Sequence, residues 1–426
     1  VGLLHRQLAL AALNANAFHP PRGLRSGVYA FAAGWLTTEL APQLLGLTAL
    51  DAATHPPRAG DRSRAAGLAL AAANAAALGV MVAQAQRARG GVETALTDAL
   101  GVDYVEQLDQ APTPADLALP WRQLATPLRV FRRGPDGVQV ERDIAYADAG
   151  RRTMLDVYRP SEPVHPGGAP VLLQVHGGAW RVGSKETQAV PLMQHLASKG
   201  WVCVAINYRL APRDPWPAHI VDVKRAIAWV RQHIGAYGGD PSYLAITGGS
   251  AGGHLAALAA LTPGDPDFQP GFEDADTHVE AAVPHYGVYD FAGATGLPRA
   301  IRMRDRFLGP LILRRRFADD PAPFEAASPL LRITPDAPDF LVLHGTADSL
   351  VDVEQARLFV DRLREVSDRS VVYAELPGAQ HAFDTLPSIR SAHVVRAIDR
   401  YLHWHWNGWR GRPVGDSPAE VAEDQS

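Results

Sequence analysis

Two kinds of hydrophobic pattern divide the chain. From about Val138 onward, short apolar runs take turns with amphipathic stretches. Residues 138–144 and 155–158 alternate apolar and polar positions on either side of Gly150, the period-two signature of half-buried strands. The runs 171–175, 202–206, 244–247, 281–284, 340–343 and 371–376 are predominantly apolar, as strands covered on both faces must be. Between them, 220–234, 251–261, 354–365 and 392–406 carry the 3.6-residue period of helices. This alternation predicts an α/β domain over 126–410, with a mostly parallel central sheet and helices on both faces. The segment 288–335 fits neither period and reads as a cap insertion after the strand at 281–284.

The first 125 residues read differently and are expected to form an N-terminal helical region. Residues 65–86 are Ala-rich and carry no charge, with Arg62 and Arg64 before them and Arg87 and Arg89 after. Residues 27–50 are mostly apolar, with Glu39 their one charge and Pro42 an interruption. Both stretches are long enough to cross a bilayer, and length and flanking charge predict a membrane-associated protein, with a cytoplasmic location as the alternative. The competing reading is a helical hairpin buried against the enzyme, because Asn74 and Glu39 are costly in lipid. The arginines around the two runs leave orientation open. Pro112, Pro114, Pro120 and Pro127 mark a linker, and 411–426 reads as a disordered tail.

Composition narrows the function classes. The chain has 426 residues, 47% of them hydrophobic and 20% charged, which suits a large buried core. The net charge of −4 and the lack of a Lys/Arg block exclude a nucleic-acid partner. The single cysteine, Cys203, lies in an apolar run and reads as a small buried hydrophobe. The sequence leaves the oligomeric state open.

The chemistry is carried by three loops, each following a predicted strand. Gly248-Gly249-Ser250-Ala251-Gly252 is a G-x-S-x-G between an apolar strand and a helix. A serine on that sharp turn is lifted into solvent at the carboxyl end of the sheet, next to the positive end of the helix. Val175-His176-Gly177-Gly178-Ala179-Trp180 follows the third strand, and its glycines let backbone N–H groups converge on an oxyanion. The N–H groups of Gly177, Gly178 and Ala251 are assigned to that hole, with His176 holding the loop. An acid and a base are then expected in the order Ser, Asp, His. Asp348 lies past the strand at 340–343, with Asp352 a rival four residues on, and His381 follows the last strand. In these roles His381 takes the proton from Ser250, and Asp348 fixes its tautomer. Most of the 16 histidines fall outside this scheme; His254, His285 and His344 read as core or loop groups. No phosphate-binding or dinucleotide motif competes, and no cofactor or metal is predicted.

With these residues in place, the chain resembles the hormone-sensitive-lipase-like esterases of the α/β-hydrolase fold, nearest to an actinobacterial branch with a helical N-terminal extension. The carriers are His176-Gly177-Gly178-Ala179-Trp180, Asn207-Tyr208-Arg209-Leu210-Ala211-Pro212, Tyr237-Gly238-Gly239-Asp240-Pro241 and Gly248–Gly253, followed by His344-Gly345 with Asp348 and Pro377-Gly378 with His381. The resemblance spans about residues 138–405. It implies a serine carboxylesterase acting on short- to medium-chain esters of small molecules through an acyl-enzyme on Ser250. Three positions depart from the family pattern: Ala179 stands where a third glycine is typical, Gly249 where Asp is frequent, and Asp352 where Pro is frequent. The His-Gly-Gly-Ala-Trp variant also looks like arylformamidases and prenylcysteine methylesterases, which remain as alternatives. A non-catalytic hydrolase-fold binding protein is a third reading, opposed by the presence of all three triad residues.

Overall fold

The computed structural model describes residues 2–109, 111–131 and 136–411, so the tail expected at 411–426 lies, from 412 on, outside the described residues. In chain order the helices are α1 (Leu3–Phe18), α2 (Ser26–Glu39), α3 (Ala41–Ala53), α4 (Arg62–Leu100), α5 (Pro114–Leu117) and α6 (Trp121–Ala125). The strands β1 (Val138–Ala145), β2 (Met154–Pro160) and β3 (Ala169–Val175) come next, then α7 (Val190–Ser198), β4 (Val202–Ile206), α8 (Ala218–His233), β5 (Gly239–Gly249), α9 (Ala251–Leu261) and β6 (Ala281–His285). After α10 (Pro298–Met303), a π-helical segment Arg304–Leu313 and α11 (Ala322–Ala326), the chain closes with β7 (Asp339–Gly345), α12 (Val353–Val366), β8 (Val371–Leu376) and α13 (Ile389–Arg410).

Among the described residues the strands form one sheet of eight, in the order β1-β2-β4-β3-β5-β6-β7-β8. The pairs β1–β2 and β2–β4 are antiparallel, and every later pair is parallel. Each predicted strand is present, and the apolar runs are those buried on both faces, as β3, β4, β6 and β7 are at every position. The chain runs from β3 to β4 on one side, then returns to place β5 on the other side of β3. That reversal opens a crevice at the carboxyl ends of β3 and β5, where open α/β sheets bind their ligands. Helix α9, buried at all eleven positions, fills the space beneath it.

The N-terminal region corrects part of the sequence reading. The stretch 27–50 is not one helix but two, α2 and α3, hinged at Leu40, and among the described residues neither is long and apolar enough by itself to cross a membrane. Its one charge lies at the hinge. The Glu39 carboxylate is fully buried and meets the equally buried Arg390 guanidinium of α13 in a very short ion pair, with the Ser388 hydroxyl donating to its other oxygen at 2.6 Å. Helix α2 is therefore fixed to the α/β domain by a charge that neither partner can expose. Helix α4 does contain the uncharged run, and among the described residues it is the one helix long and apolar enough to cross a membrane. Its inner face, Leu78, Met81, Ala85, Ala88, Val92 and Leu96, recurs at helical spacing and is buried. Contacts of α4 with α1, α3, β8 and α13 hold that face. Asn74, the costly polar residue of the run, donates to the Gln7 side chain at 3.0 Å and accepts from Asn14 at 3.0 Å.

The Glu39–Arg390 pair yields a stability prediction. Glu39→Leu leaves a guanidinium buried without its partner, which is expected to cost about 3–5 kcal/mol. Adding Arg390→Met removes the orphaned charge and is expected to recover most of the loss. Urea unfolding of the two variants checks this; a Glu39→Leu variant as stable as the parent would show that the pair does not hold α2.

Candidate active site

Ser250 sits between β5 and α9 with φ +59° and ψ −118°, a backbone conformation that L-residues avoid and that persists only where the surroundings impose it. Its N–H donates to the His285 carbonyl at 3.0 Å, and its own carbonyl accepts from His254 N at 2.9 Å. The turn is thus tied to β6 on one side and to its helix on the other. Gly249 has no room for a side chain: a β-carbon there would stand 2.5 Å from Tyr286 Oη. This explains the departure from an acidic residue before the serine.

The loop after β3 comes within contact distance of this turn, since a β-carbon on Gly177 would lie 3.2 Å from Ser250 Cβ. The loop then makes a tight bend, with positive φ at Gly178, Ala179 and Trp180 (+118°, +55° and +58°). One expectation changes here. The Gly177 N–H is not free to meet an oxyanion, because it donates to Gln188 Oε1 at 2.6 Å. The N–H groups of Gly178 and Ala179 have no acceptor among the described residues. Ala251 opens α9, where helix geometry leaves N–H groups unpaired. Trp180 anchors the bend from below: its Nε1–H donates to His254 Nδ1 at 3.2 Å, and the His254 ring stacks on Phe291 at 4.2 Å. With Nδ1 an acceptor, the network assigns the proton to Nε2, which faces the Ala327 carbonyl at 2.8 Å. Burial pulls the His254 pKa down to about 3, so it remains neutral. His176 is likewise a structural group, stacked 4.3 Å from Tyr208 and lowered by burial to about 4.

Asp348 and His381 come together from the loops after β7 and β8. His381 Nδ1–H donates to Asp348 Oδ2 at 2.7 Å. Asp348 Oδ1 accepts the N–H groups of Leu350 and Val351 at 2.8 and 2.9 Å, and His344 Nε2 lies 3.3 Å from Oδ2. Burial pushes the Asp348 carboxyl up, but His381 and His344 outweigh it and hold the group below the ordinary carboxylate range. The rival Asp352 does not reach His381. It caps α12 through Glu354 N–H and lies 3.5 Å from Arg299.

Two neighbours of His381 had no signature in the sequence. Phe31 of α2 meets its ring edge-on at 5.6 Å, and Tyr286 lies against it at 4.6 Å. The Tyr286 hydroxyl makes a very short bond to Asp384, which also binds His285 Nδ1 at 2.5 Å. Tyr286 therefore touches both the serine turn, at Gly249, and the imidazole. Ser250 Oγ itself has no hydrogen-bond partner among the described residues, a spacing that substrate-free hydrolases often show before the complex tightens. A cavity of about 160 Å³ opens on Ser250 and Ala179. Leu24 and Val28 from the N-terminal region, Met303 and Phe307 from the insertion, and Leu350 and Val351 from the β7 loop form its apolar walls.

Comparison with known proteins agrees with this architecture. The sequence model of the BD-FAE family matches residues 155–363. The probable carboxylic ester hydrolase LipM of Mycobacterium tuberculosis is 46% identical over 418 residues, covering 94% of this chain and 93% of that protein. The esterase LipQ of the same organism is 46% identical over 326 residues, covering 75% of each. Among solved structures, a truncated carbohydrate esterase from gut microbiota superposes with a TM-score of 0.53 at 25% identity, over 64% of this chain and 99% of that one. With so close a relative matched along almost its whole length, the chain belongs to the hormone-sensitive-lipase-like carboxylesterases of the α/β-hydrolase fold.

Proposed function

We propose that this carboxylesterase works through Ser250 as nucleophile, His381 as general base and Asp348 as the group that orients it, on short- to medium-chain esters. The observation that carries the reading is the 2.7 Å bond from His381 Nδ1–H to the buried Asp348 carboxylate. It leaves Nε2 unprotonated and able to accept a proton. His381 takes the Ser250 proton as Oγ attacks the ester carbonyl. The resulting oxyanion is received by the N–H groups of Gly178, Ala179 and Ala251. His381 then protonates the departing alcohol, and a water activated by the same imidazole releases the acid from the acyl-enzyme. Tyr286, held by Asp384, limits the tilt of the imidazole. The apolar cavity beside Ser250 supports an acyl or alkyl arm of modest length.

The region 1–125 is read as part of the enzyme and not as an anchor. The Glu39–Arg390 pair and the packing of α4 on α13 and β8 bind it to the catalytic domain, and Phe31 touches the proposed base. The full chain is expected to be released from membranes by alkaline carbonate. Retention in the pellet would restore the crossing at 65–86.

Two further outcomes test the mechanism. Ser250→Ala is expected to lower kcat on the order of 10⁴-fold or more while leaving the unfolding curve in place. A fluorophosphonate should label the parent chain at Ser250 and leave the variant unlabelled; a label at another serine contradicts the assignment. Asp348→Asn is expected to lower kcat on the order of 10⁴-fold by favouring the wrong tautomer of His381. Asp352→Asn should cost far less, and a reversed order of damage would make Asp352 the acid.

A further inference from the structure

The cavity that opens on Ser250 is not uniformly apolar. Arg22, Arg299 and Arg302 all line it, with Asp352 as the one acid among the lining residues. The cluster is local, since the whole chain has 41 basic against 45 acidic residues and a net charge of −4. Arg299 is the innermost by burial, its side chain 18% exposed. Its Nη2 donates to the Ser349 carbonyl at 3.0 Å, while Nη1 stands 3.5 Å from Asp352 and makes no hydrogen bond. Asp352 is itself shared, because it also caps α12. Arg22 reaches only a neutral carbonyl, that of Thr346, at 3.4 Å. Arg302 has no ion-pair partner among the described residues. Burial lowers the Arg299 pKa, and the nearby charge of Arg22 adds to the effect against the pull of Asp352 and Asp348. Arg22 and Arg302 are exposed at the mouth of the cavity and Arg299 is half-buried behind them, and an anion seated among the three would relieve their mutual repulsion.

We propose that the enzyme selects esters that carry an anionic group, a carboxylate or a phosphate, on the acyl or alcohol arm, separated from the scissile carbonyl by an apolar spacer. This rests on Ser250 as the nucleophile. The spacer lies along Val288, Met303, Phe307 and Leu350, and the anion meets the guanidinium forks of Arg22, Arg299 and Arg302. Planar guanidinium groups suit such anions because they bind two oxygens at once. A cationic cluster at the mouth also draws an anionic substrate toward the cavity, an effect that salt weakens.

The test uses two soluble pairs of matched length at low ionic strength. Mono-p-nitrophenyl adipate is compared with p-nitrophenyl hexanoate for the acyl arm, and 4-(butyryloxy)butanoate with butyl butyrate for the alcohol arm. In at least one pair the anionic member is expected to have a kcat/KM higher by about tenfold, as one new charge-assisted contact would give. Salt at about 0.5 M should shrink that preference, and Arg302→Gln combined with Arg22→Gln should shrink it at low salt. Arg362→Gln, on the exposed face of α12, removes the same kind of charge far from the cavity and should leave the preference as it is. Equal values, or a preference for the neutral ester in both pairs, overturn the inference. A preference for phosphatidylglycerol over phosphatidylcholine vesicles without one in either soluble pair also overturns it, because the arginines would then read a lipid surface. Ser250→Ala separates the two claims. If the variant keeps its turnover, the nucleophile is wrong; if turnover is lost but the parent shows no preference, only the substrate class is wrong.

Discussion

A carboxylate shut away from water must be satisfied by the chain around it, and Asp348 sets that requirement for the whole upper end of the sheet. Two backbone N–H groups of its own loop meet one oxygen, and His381 from the next strand's loop meets the other, with His344 beside it. Satisfying this one charge fixes the loop after β7, the loop after β8 and the face of the imidazole. What remains exposed of His381 is then decided by its neighbours. Tyr286 packs against the ring at 4.6 Å and Phe31 meets it edge-on at 5.6 Å. A second buried carboxylate, Asp384, repeats the arrangement one layer further in, holding Tyr286 and His285. Since His285 also supplies the carbonyl that ties down Ser250, the serine turn and the Tyr286 that packs on His381 share a single polar framework.

This framework accounts for the closeness of the N-terminal region to the site. Gly27 packs against the backbone at Ser349 and accepts the Ser349 hydroxyl at 3.0 Å, one residue beyond Asp348. Gly34 packs against Gln380, one residue before His381. Helix α2 thus rests on both loops that carry Asp348 and His381. Its own position is secured at the far end by the buried Glu39–Arg390 pair. A change in the packing of α2 is a change in the walls of the cavity at Ser250, because Val28 belongs to both and Leu24 lies just before the helix.

The sheet was legible because its strands are short, apolar and bounded by turn residues, and because every loop with chemistry follows a strand. The bond between Asp348 and His381 could be anticipated for the same reason: the order of the loops along the chain limits which residues meet. Less could be read in the first 125 residues. An uncharged helix has the same hydropathy whether lipid or protein covers it, and α4 proved to have one face packed on α13 and β8. Glu39 marked the problem, but its partner Arg390 is 351 positions away, so no local pattern announces the pair. The short α7, nine residues between β3 and β4, offers too few turns for its period to stand out. At Gly177 the backbone geometry was as expected, but the side chain of Gln188, eleven residues on, takes its N–H. Tyr286 and Asp384 went unread as partners because 98 positions separate them, and the space denied to Gly249 records the presence of Tyr286 alone.

The central claim is that the loops after β3 and β5 present backbone N–H groups to an oxyanion formed on Ser250, with His381 on the opposite side. A structure of the covalent adduct with an alkyl phosphonate tests it directly. Phosphorus is expected bonded to Ser250 Oγ, with one phosphonyl oxygen about 2.7–3.1 Å from the N–H groups of Gly178, Ala179 and Ala251. The Gly177–Gln188 bond should persist, and His381 Nε2 should face the ester oxygen. A phosphonyl oxygen bound by Gly177 with Gln188 displaced, or an adduct on another residue, would contradict it.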